Sequence, residues 1–379
     1  MRTALIGPVF PFRGGVAHYT ALLYGHLADF HEARLYTFSR KYPSMFYPGN
    51  SAPDQSRMRL HVANALRIID WLNPFSWLKA GVLIARWSPD AAIFTWWMWG
   101  WAIPTWVIAK IVSLRKNTKR IFICHNIIEH ESARWKYLLA RFALSCTDCY
   151  IVHSKVDYMN LKAMFPNAKA HICFHPTYEV FRQDLMSKKE ARAALNIKPS
   201  VRKVILFFGV IRPYKGLQYL IEAMGAIIQE LSDIRLLVVG EFWEGAEMYR
   251  RQIKALQLND AIKIVDKYVP NEDIGKYFTA ADVVVLPYVN GTGSGVVQIA
   301  YGFDRPVIAT TVGSLSDVVL DGITGCLVKP RSSEEIANAV VSFYKHKMER
   351  KMVHNIKLDK EKFSWSRMIN TIESVIEAT

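Results

Sequence analysis

Phe207-Phe208-Gly209-Val210-Ile211-Arg212-Pro213-Tyr214-Lys215-Gly216 is the stretch on which the reading of this chain turns. The apolar run Val204 to Phe208 reads as a buried parallel strand, and helical spacing begins after Gly216. A second junction of the same kind, Asn290-Gly291-Thr292-Gly293-Ser294-Gly295-Val296, follows the apolar run Asp282 to Leu286. Strand-to-helix turns of this sort lie at the carboxyl ends of strands, where helix N-termini offer free amides to an anion. The first turn adds Arg212 and Lys215, so a diphosphate there meets two positive charges, one of them a bidentate donor. Gly209, Gly293 and Gly295 let the backbone come close to such a ligand. A diphosphate-bearing ligand is the expectation.

Working outward, the second half of the chain alternates short apolar runs with amphipathic stretches: Val204–Phe208, Arg235–Val239, Ile262–Val265, Asp282–Leu286, Val307–Ala309 and Gly325–Leu327. The first half does the same with Thr3–Ile6, a helix over Val16–Ala28, then Glu32–Phe38, Ala91–Phe94, Arg120–Cys124 and Cys149–Val152. Strand-helix alternation predicts parallel sheets wound on both faces, and so an α/β protein of two Rossmann-like domains facing across a cleft. The polar stretch Gln183 to Arg202 marks the boundary, which divides the chain into residues 1–190, residues 191–362, and a helix over residues 363–379 that packs back on the N-terminal domain.

A chain of 379 residues is too long for one hydrophobic core. Its formal charge of +15 draws it to phosphate, in nucleic acid, anionic lipid or substrate. Part of that charge is local, since Lys110, Arg115, Lys116, Lys119 and Arg120 form a run without an acid. Eight of the eleven tryptophans lie between Trp71 and Trp106. Ala91 to Ile111 is nearly all apolar, but Gly100 and Pro104 break its middle, so it reads as strand, tryptophan-rich loop and helix rather than a membrane span. Those indoles fit either a bilayer interface, where cations meet anionic lipid, or a large aromatic core. The scattered cysteines Cys124, Cys146, Cys149, Cys173 and Cys326 fit buried thiols in a reducing cytoplasm, because the lone Cys146-x-x-Cys149 has no second pair to complete a zinc site. No secretory signal is read at the N-terminus.

Several classes are excluded. A nicotinamide or flavin enzyme needs a GxGxxG fingerprint, which Gly291, Gly293 and Gly295 miss in spacing. A P-loop hydrolase needs Ser or Thr after its lysine, and Gly216 follows Lys215. No recognisable nucleic-acid reader is present, so no nucleic acid is expected as a partner. The chain also has no Asp-x-Asp pair to hold a metal-bound nucleotide sugar.

Gly7-Pro8 with Gly14-Gly15-Val16-Ala17, the turn around Arg212 and Lys215, Val238-Val239-Gly240-Glu241, Ala280-Ala281-Asp282 and Arg305-Pro306-Val307-Ile308-Ala309 together resemble the retaining glycosyltransferases of family 4, which have the GT-B fold. The resemblance runs over nearly the whole chain and is densest from Val204 to Pro330. It implies an enzyme that moves a sugar from a nucleoside diphosphate to a hydroxyl acceptor, without a metal or other cofactor. The acceptor it implies is a lipid-linked or polysaccharide intermediate of bacterial surface glycan synthesis, met at the cytoplasmic face of the membrane. Lys215 falls on the family's diphosphate-binding lysine. The family's arginine position holds Val210, and Arg212, two residues on, is taken to supply that charge.

The family's paired glutamates are replaced by Gly291 and Ile299, neither of which offers a side-chain acceptor. What remains for the donor is the backbone of Thr292, Gly293, Ser294, Gly295 and Val296, with Gln298 or Glu241 as a substitute contact. Gly14 and Gly15 let the first helix approach the donor or acceptor, and His125, at the end of its strand, resembles the family's cleft histidine, able to bond the sugar or move the acceptor proton. His153-Ser154 ends the next strand on the same side. Glu129-His130-Glu131 and Ser39-Arg40-Lys41-Tyr42-Pro43 fall in loops on the acceptor side. The rival reading is a pseudoenzyme of the same fold that binds a partner without transfer.

Overall fold

The computed structural model describes residues 1–40, 54–58, 60–127, 134–182 and 186–378. Lys41 to Pro43 of the acceptor-side loop, Glu129-His130-Glu131 and Gln183 at the start of the expected boundary lie outside the described residues.

The first sheet has seven strands, β1 (Arg2–Ile6), β2 (Glu32–Arg40), β3 (Leu66–Asp70), β4 (Ala91–Trp96), β5 (Lys119–Cys124), β6 (Cys149–Val152) and β7 (Ala170–Ile172). Their order is β3-β2-β1-β4-β5-β6-β7, every pair parallel. The second sheet has six, β8 (Lys203–Phe208), β9 (Ile234–Val239), β10 (Ile262–Val265), β11 (Val283–Leu286), β12 (Val307–Thr310) and β13 (Gly325–Val328). Their order is β10-β9-β8-β11-β12-β13, again all parallel. Parallel sheets must be covered on both faces, which is why the central strands carry nearly continuous apolar runs rather than alternating ones. In β4 all six residues are buried. Ala92, Phe94 and Trp96 enter one core layer, while Ala91 and Ile93 enter the layer on the other face.

These sheets belong to two compact units. The first comprises Met1–Gln55, Arg59–His175 and Ser364–Thr379; the second comprises Ser56–Met58 and Pro176–Phe363. The chain enters the second unit at Pro176, so the expected boundary at residue 190 falls inside that unit. The reason is burial: Tyr178 and Phe181 are in the core, and Arg182 pairs with Asp304 at 2.8 Å. Within the polar stretch itself, the helix Lys188–Ala194 sends Lys188 and Arg192 to buried Asp282, at 2.7 and 2.9 Å. Asp282 also accepts from Val204 N at 2.7 Å and from Tyr344 Oη at 3.1 Å. A buried carboxylate with this many donors is a structural anchor, not a ligand contact.

The last helix, Trp365–Glu377, belongs to the first unit. Its Met368, Ile369, Ile372 and Val375 pack with Leu5, Leu23 and Leu35, and Glu373 meets His31 at 3.0 Å. The tryptophan-rich segment is mostly core. Trp96 and Trp101 are each 2% exposed, and Trp71, Trp77, Trp87 and Trp97 pack against the same cluster. Among the described residues no helix is long and apolar enough to cross a membrane, and the five cysteines are free.

Candidate functional site

Ligands of doubly wound sheets bind beyond the carboxyl ends of the strands, where the strand order reverses. In the second unit that reversal lies between β8 and β11, which are neighbours with Val283 opposite Ile205. The turns after these two strands are the two glycine junctions read from the sequence, and the structure joins them. Val289 N donates to Tyr214 O at 2.8 Å, and the Tyr214 and Tyr288 rings meet edge to face at 6.1 Å. Gly216, at φ +67°, comes so close to the second turn that a Cβ there would lie 2.0 Å from Pro287 O.

Gly209 leaves β8 at φ +99°, with its N–H on Val239 O at 2.9 Å. A Cβ on Gly209 would sit 3.2 Å from Lys215 Nζ and 3.5 Å from Val296 Cγ2, so Gly209, Lys215 and Val296 share one spot. Lys215 closes the short turn Pro213–Lys215 and is only 8% exposed. Its Nζ lies 5.6 Å over the Tyr288 ring. Burial, with the Arg212 charge beside it, lowers its pKa to about 8. The Arg212 guanidinium lies 5.3 Å from the Tyr214 ring and 5.8 Å from the Trp243 ring, and its Nε is buried without an acceptor. Among the described residues neither cation has an ion-pair partner. A buried ammonium beside a guanidinium, with rings around them and no carboxylate in ion-pair contact among the described residues, is an unfavourable arrangement until an anion enters.

Ser294 caps the helix Gly295–Gly302, its Oγ accepting from Val296 N at 3.2 Å and lying 3.0 Å from Tyr288 Oη. The cap therefore occupies the Val296 amide, while Gly295, at the first helical position, has no intrahelical acceptor. Thr292 O accepts from Ser314 N at 2.7 Å, and a Cβ on Gly293 would lie 2.7 Å from Ser314 Oγ, so this loop is packed against the segment after β12. Gln298 is 3% exposed and its Oε1 is buried without a donor. Glu241 follows Gly240, whose missing Cβ would lie 2.1 Å from Gly209 O; its carboxylate is 3.4 Å from Trp243 Nε1. Arg212, Lys215, Gly209, Glu241 and the Thr292–Gln298 segment thus occupy the same end of the second sheet. Tyr288, Trp243 and Ser314 join them without having been singled out in the sequence. Tyr288 carried a signal all the same, standing directly after Pro287 at the end of an apolar run.

In the first unit, Gly14 caps the helix Gly15–Ala28 at φ +111° with no side-chain cap, and both glycines are exposed. His125 follows β5, its N–H on Trp96 O at 2.9 Å and its Nε2 buried without a partner. Burial, then the nearby His153 and His175, hold His125 well below the ordinary histidine range. His153 follows β6 and is brought to about 4 by burial, against the opposing pull of the Cys173 carbonyl 2.8 Å from its Nδ1. Tyr19 stands among these rings, 4.5 Å from His125, 5.4 Å from His153 and 4.9 Å from His175. His125 and His153 are therefore neutral imidazoles near pH 7, able to accept or donate a hydrogen bond without bringing charge. Tyr19 and His175 went unnoticed in the sequence because neither adjoins a strand end. Among the described residues no group of three His, Cys, Asp or Glu is arranged to hold a metal ion.

With the site laid out, comparison with known proteins becomes informative. Residues 202–346, which contain both glycine junctions, match the family "Glycosyl transferases group 1". The matched residues all lie in the second unit. The D-inositol 3-phosphate glycosyltransferase of Corynebacterium glutamicum (strain R) is 33% identical over 41% of this chain and 38% of its own length. The enzyme of the same name from Corynebacterium urealyticum is 29% identical over 66% of this chain and 60% of its own. This chain thus spans less than two thirds of the length of these curated relatives. Among solved structures, sucrose-phosphate synthase from Thermosynechococcus elongatus (19% identical, TM-score 0.73) and the Anabaena protein HepE in complex with UDP (15% identical, TM-score 0.76) are each matched over 100% of both chains. At these identities the likeness establishes the fold, two Rossmann-like α/β domains of the GT-B class.

Proposed function

We propose that this protein transfers a sugar from a nucleoside diphosphate to a hydroxyl acceptor with retention of anomeric configuration. The observation that carries the reading is the cation pair of buried Lys215 and half-buried Arg212, without an ion-pair partner among the described residues, at the switch point of the second sheet. As the sugar bond breaks, negative charge grows on the departing diphosphate. Lys215, Arg212 and the Gly295 amide are already in place to take it up, so little reorganisation is needed at the moment of reaction. These groups do the work that a divalent ion does elsewhere, and the chemistry proceeds without one. Gln298 Oε1, buried without a donor, suits a hydroxyl of the donor. Two curated relatives bear on the class: one is named a D-inositol 3-phosphate glycosyltransferase, another is an alpha-D-kanosaminyltransferase of Streptomyces kanamyceticus. Both names describe sugar transfer. His125 bonds the sugar or moves the acceptor proton.

A specific surface favours a lipid-linked acceptor at an anionic membrane. The helices Pro74–Trp87, Ala102–Val112 and Arg134–Leu144 cover one face of the first sheet. They leave Phe75 (79% exposed), Ile103 (52%), Trp135 (50%) and Leu138 (60%) in solvent, amid exposed Lys79, Arg86, Lys110 and Arg141. Apolar side chains ringed by cations suit the headgroup layer. The test of the activity is incubation with UDP-, GDP-, ADP- and CDP-sugars in EDTA, with the anomeric configuration of the product read by NMR. The reading fails if no nucleotide sugar is turned over or hydrolysed, and retention fails if the product is inverted. Sedimentation with phosphatidylglycerol and phosphatidylcholine vesicles tests the surface: Phe75→Ser with Trp135→Ser should lower binding to the former.

A further inference from the structure

We propose that the first unit carries a second anion site, at the amino ends of β5, β6 and β7, which takes a phosphate group borne by a small soluble molecule or a lipid headgroup. A cavity of ≈ 390 Å³ opens there, within the usual range for small-molecule sites. Arg115, Lys116, Lys119, Arg120 and Lys169 line it, with His171, against the single carboxylate of Asp148 among the described residues. The cations come from the turn after the helix Ala102–Val112, from the start of β5 and from the residue before β7, so the fold gathers them from separate segments.

The cations differ in what they can do. Arg120 is locked to Asp148, its N and Nε each 2.8 Å from Oδ2, and a second guanidinium nitrogen bonds Oδ1. Lys119 Nζ donates to Val375 O at 3.1 Å and to Ala378 O, closing the end of the last helix. Arg115 Nε is held by Ala85 O at 2.9 Å, which fixes the direction of its guanidinium. Lys116 and Lys169 are exposed and have no ion-pair partner among the described residues. Cys149 forms part of the wall as a neutral thiol, since burial pushes its pKa up to about 11. Three positioned cations and two unpaired lysines converge on one small concavity that one carboxylate cannot neutralise, and an anion relieves their mutual repulsion. His125 and His153 follow the opposite, carboxyl ends of β5 and β6, so this pocket is separate from the histidine cluster.

The experiment titrates inorganic pyrophosphate into the full chain by calorimetry at about 50 mM salt, where screening is weak, with UDP present to fill the second unit's site. Lys116→Glu with Lys169→Glu should weaken the pyrophosphate site by about tenfold or more with an unchanged melting temperature. Lys254→Glu with Lys351→Glu, exposed residues of the second unit, should leave it unchanged. Glycerol 3-phosphate in solution and phosphatidylglycerol vesicles form two further arms. A variant that loses only the former assigns the site to soluble phosphates, and one that loses both assigns it to headgroups. Absence of pyrophosphate binding, or equal binding by the charge-reversed variant, overturns the proposal. Because Lys116 and Lys169 both belong to the first unit, a loss confined to their charge-reversed variant reports on that unit even if UDP fails to bind the second.

Discussion

Replacing Lys215 by Met should stabilise the ligand-free protein while destroying nucleotide binding. The methionine keeps the aliphatic stem over Tyr288 and removes the buried charge. In the unfolded chain a lysine titrates near 10.5, whereas burial and Arg212 bring Lys215 to about 8. The difference, 10.5 less 8, corresponds to a stability cost on the order of 3 kcal/mol when the folded protein carries the proton. The sign follows from linkage. Between pH 8 and 10.5 the unfolded state binds the extra proton, so wild-type stability gains with rising pH in that window, and the cost is complete below it. Urea melts at pH 7 should therefore show Lys215→Met above wild type, with the gap closing as pH rises to 10.5. For a domain of this size each kcal/mol is worth about 2–4 °C, so several degrees separate the two in a thermal scan. UDP should raise the wild-type midpoint and leave the variant unmoved. A variant less stable than wild type at pH 7, or a gap that ignores pH, would refute the claim that Lys215 is a strained, waiting cation.

Four further outcomes follow from the same geometry. Gly216→Ala should lose about 2–4 kcal/mol in urea melts, because its Cβ would sit 2.0 Å from Pro287 O at a left-handed φ. Asp282→Ala should cost about 3–5 kcal/mol by leaving Lys188 and Arg192 without their buried partner, while the UDP-induced rise in melting temperature persists in whatever protein folds. His153, at about 4 in the folded state, contributes stability that is whole above pH 6.5 and lost as pH falls toward 4, so tryptophan-fluorescence melts should show an acid-sensitive step that His153→Gln removes. His125→Ala should lower turnover by about 10²–10⁴ with the nucleotide-induced shift intact, separating acceptor chemistry from donor binding.

What the sequence revealed, and what it hid, follows from burial. Runs such as Val204 to Phe208 and Val307 to Ala309 were legible because a central parallel strand must be apolar on both faces. Edge strands lack that signature: in β3 only Ile69 is fully buried, and β7, Ala170–Ile172, is half-exposed or exposed throughout, so neither reads as a strand from the sequence. The polar stretch around Lys188-Lys189-Glu190 looked like a linker because its charges face Asp282, a partner more than ninety residues away in sequence. Ser56–Met58 joins the second unit through Glu272, which accepts from Arg57 N and Met58 N, and Asn271, whose N donates to Ser56 Oγ at 2.9 Å, a pairing no local pattern announces. In the candidate site the glycines and the two cations were readable from spacing alone. The rings that surround those cations, Tyr288 and Trp243, were not, since their role depends on where two separate turns meet.

The most direct test of the central claim is equilibrium binding of UDP, GDP, ADP and CDP by calorimetry in EDTA, on wild type and on Lys215→Met. If Lys215, Arg212 and the helix amides hold a diphosphate without a divalent ion, at least one nucleotide binds the wild type, and the variant loses it by about tenfold or more. Absence of binding by all four, or equal binding to both proteins, would contradict the account.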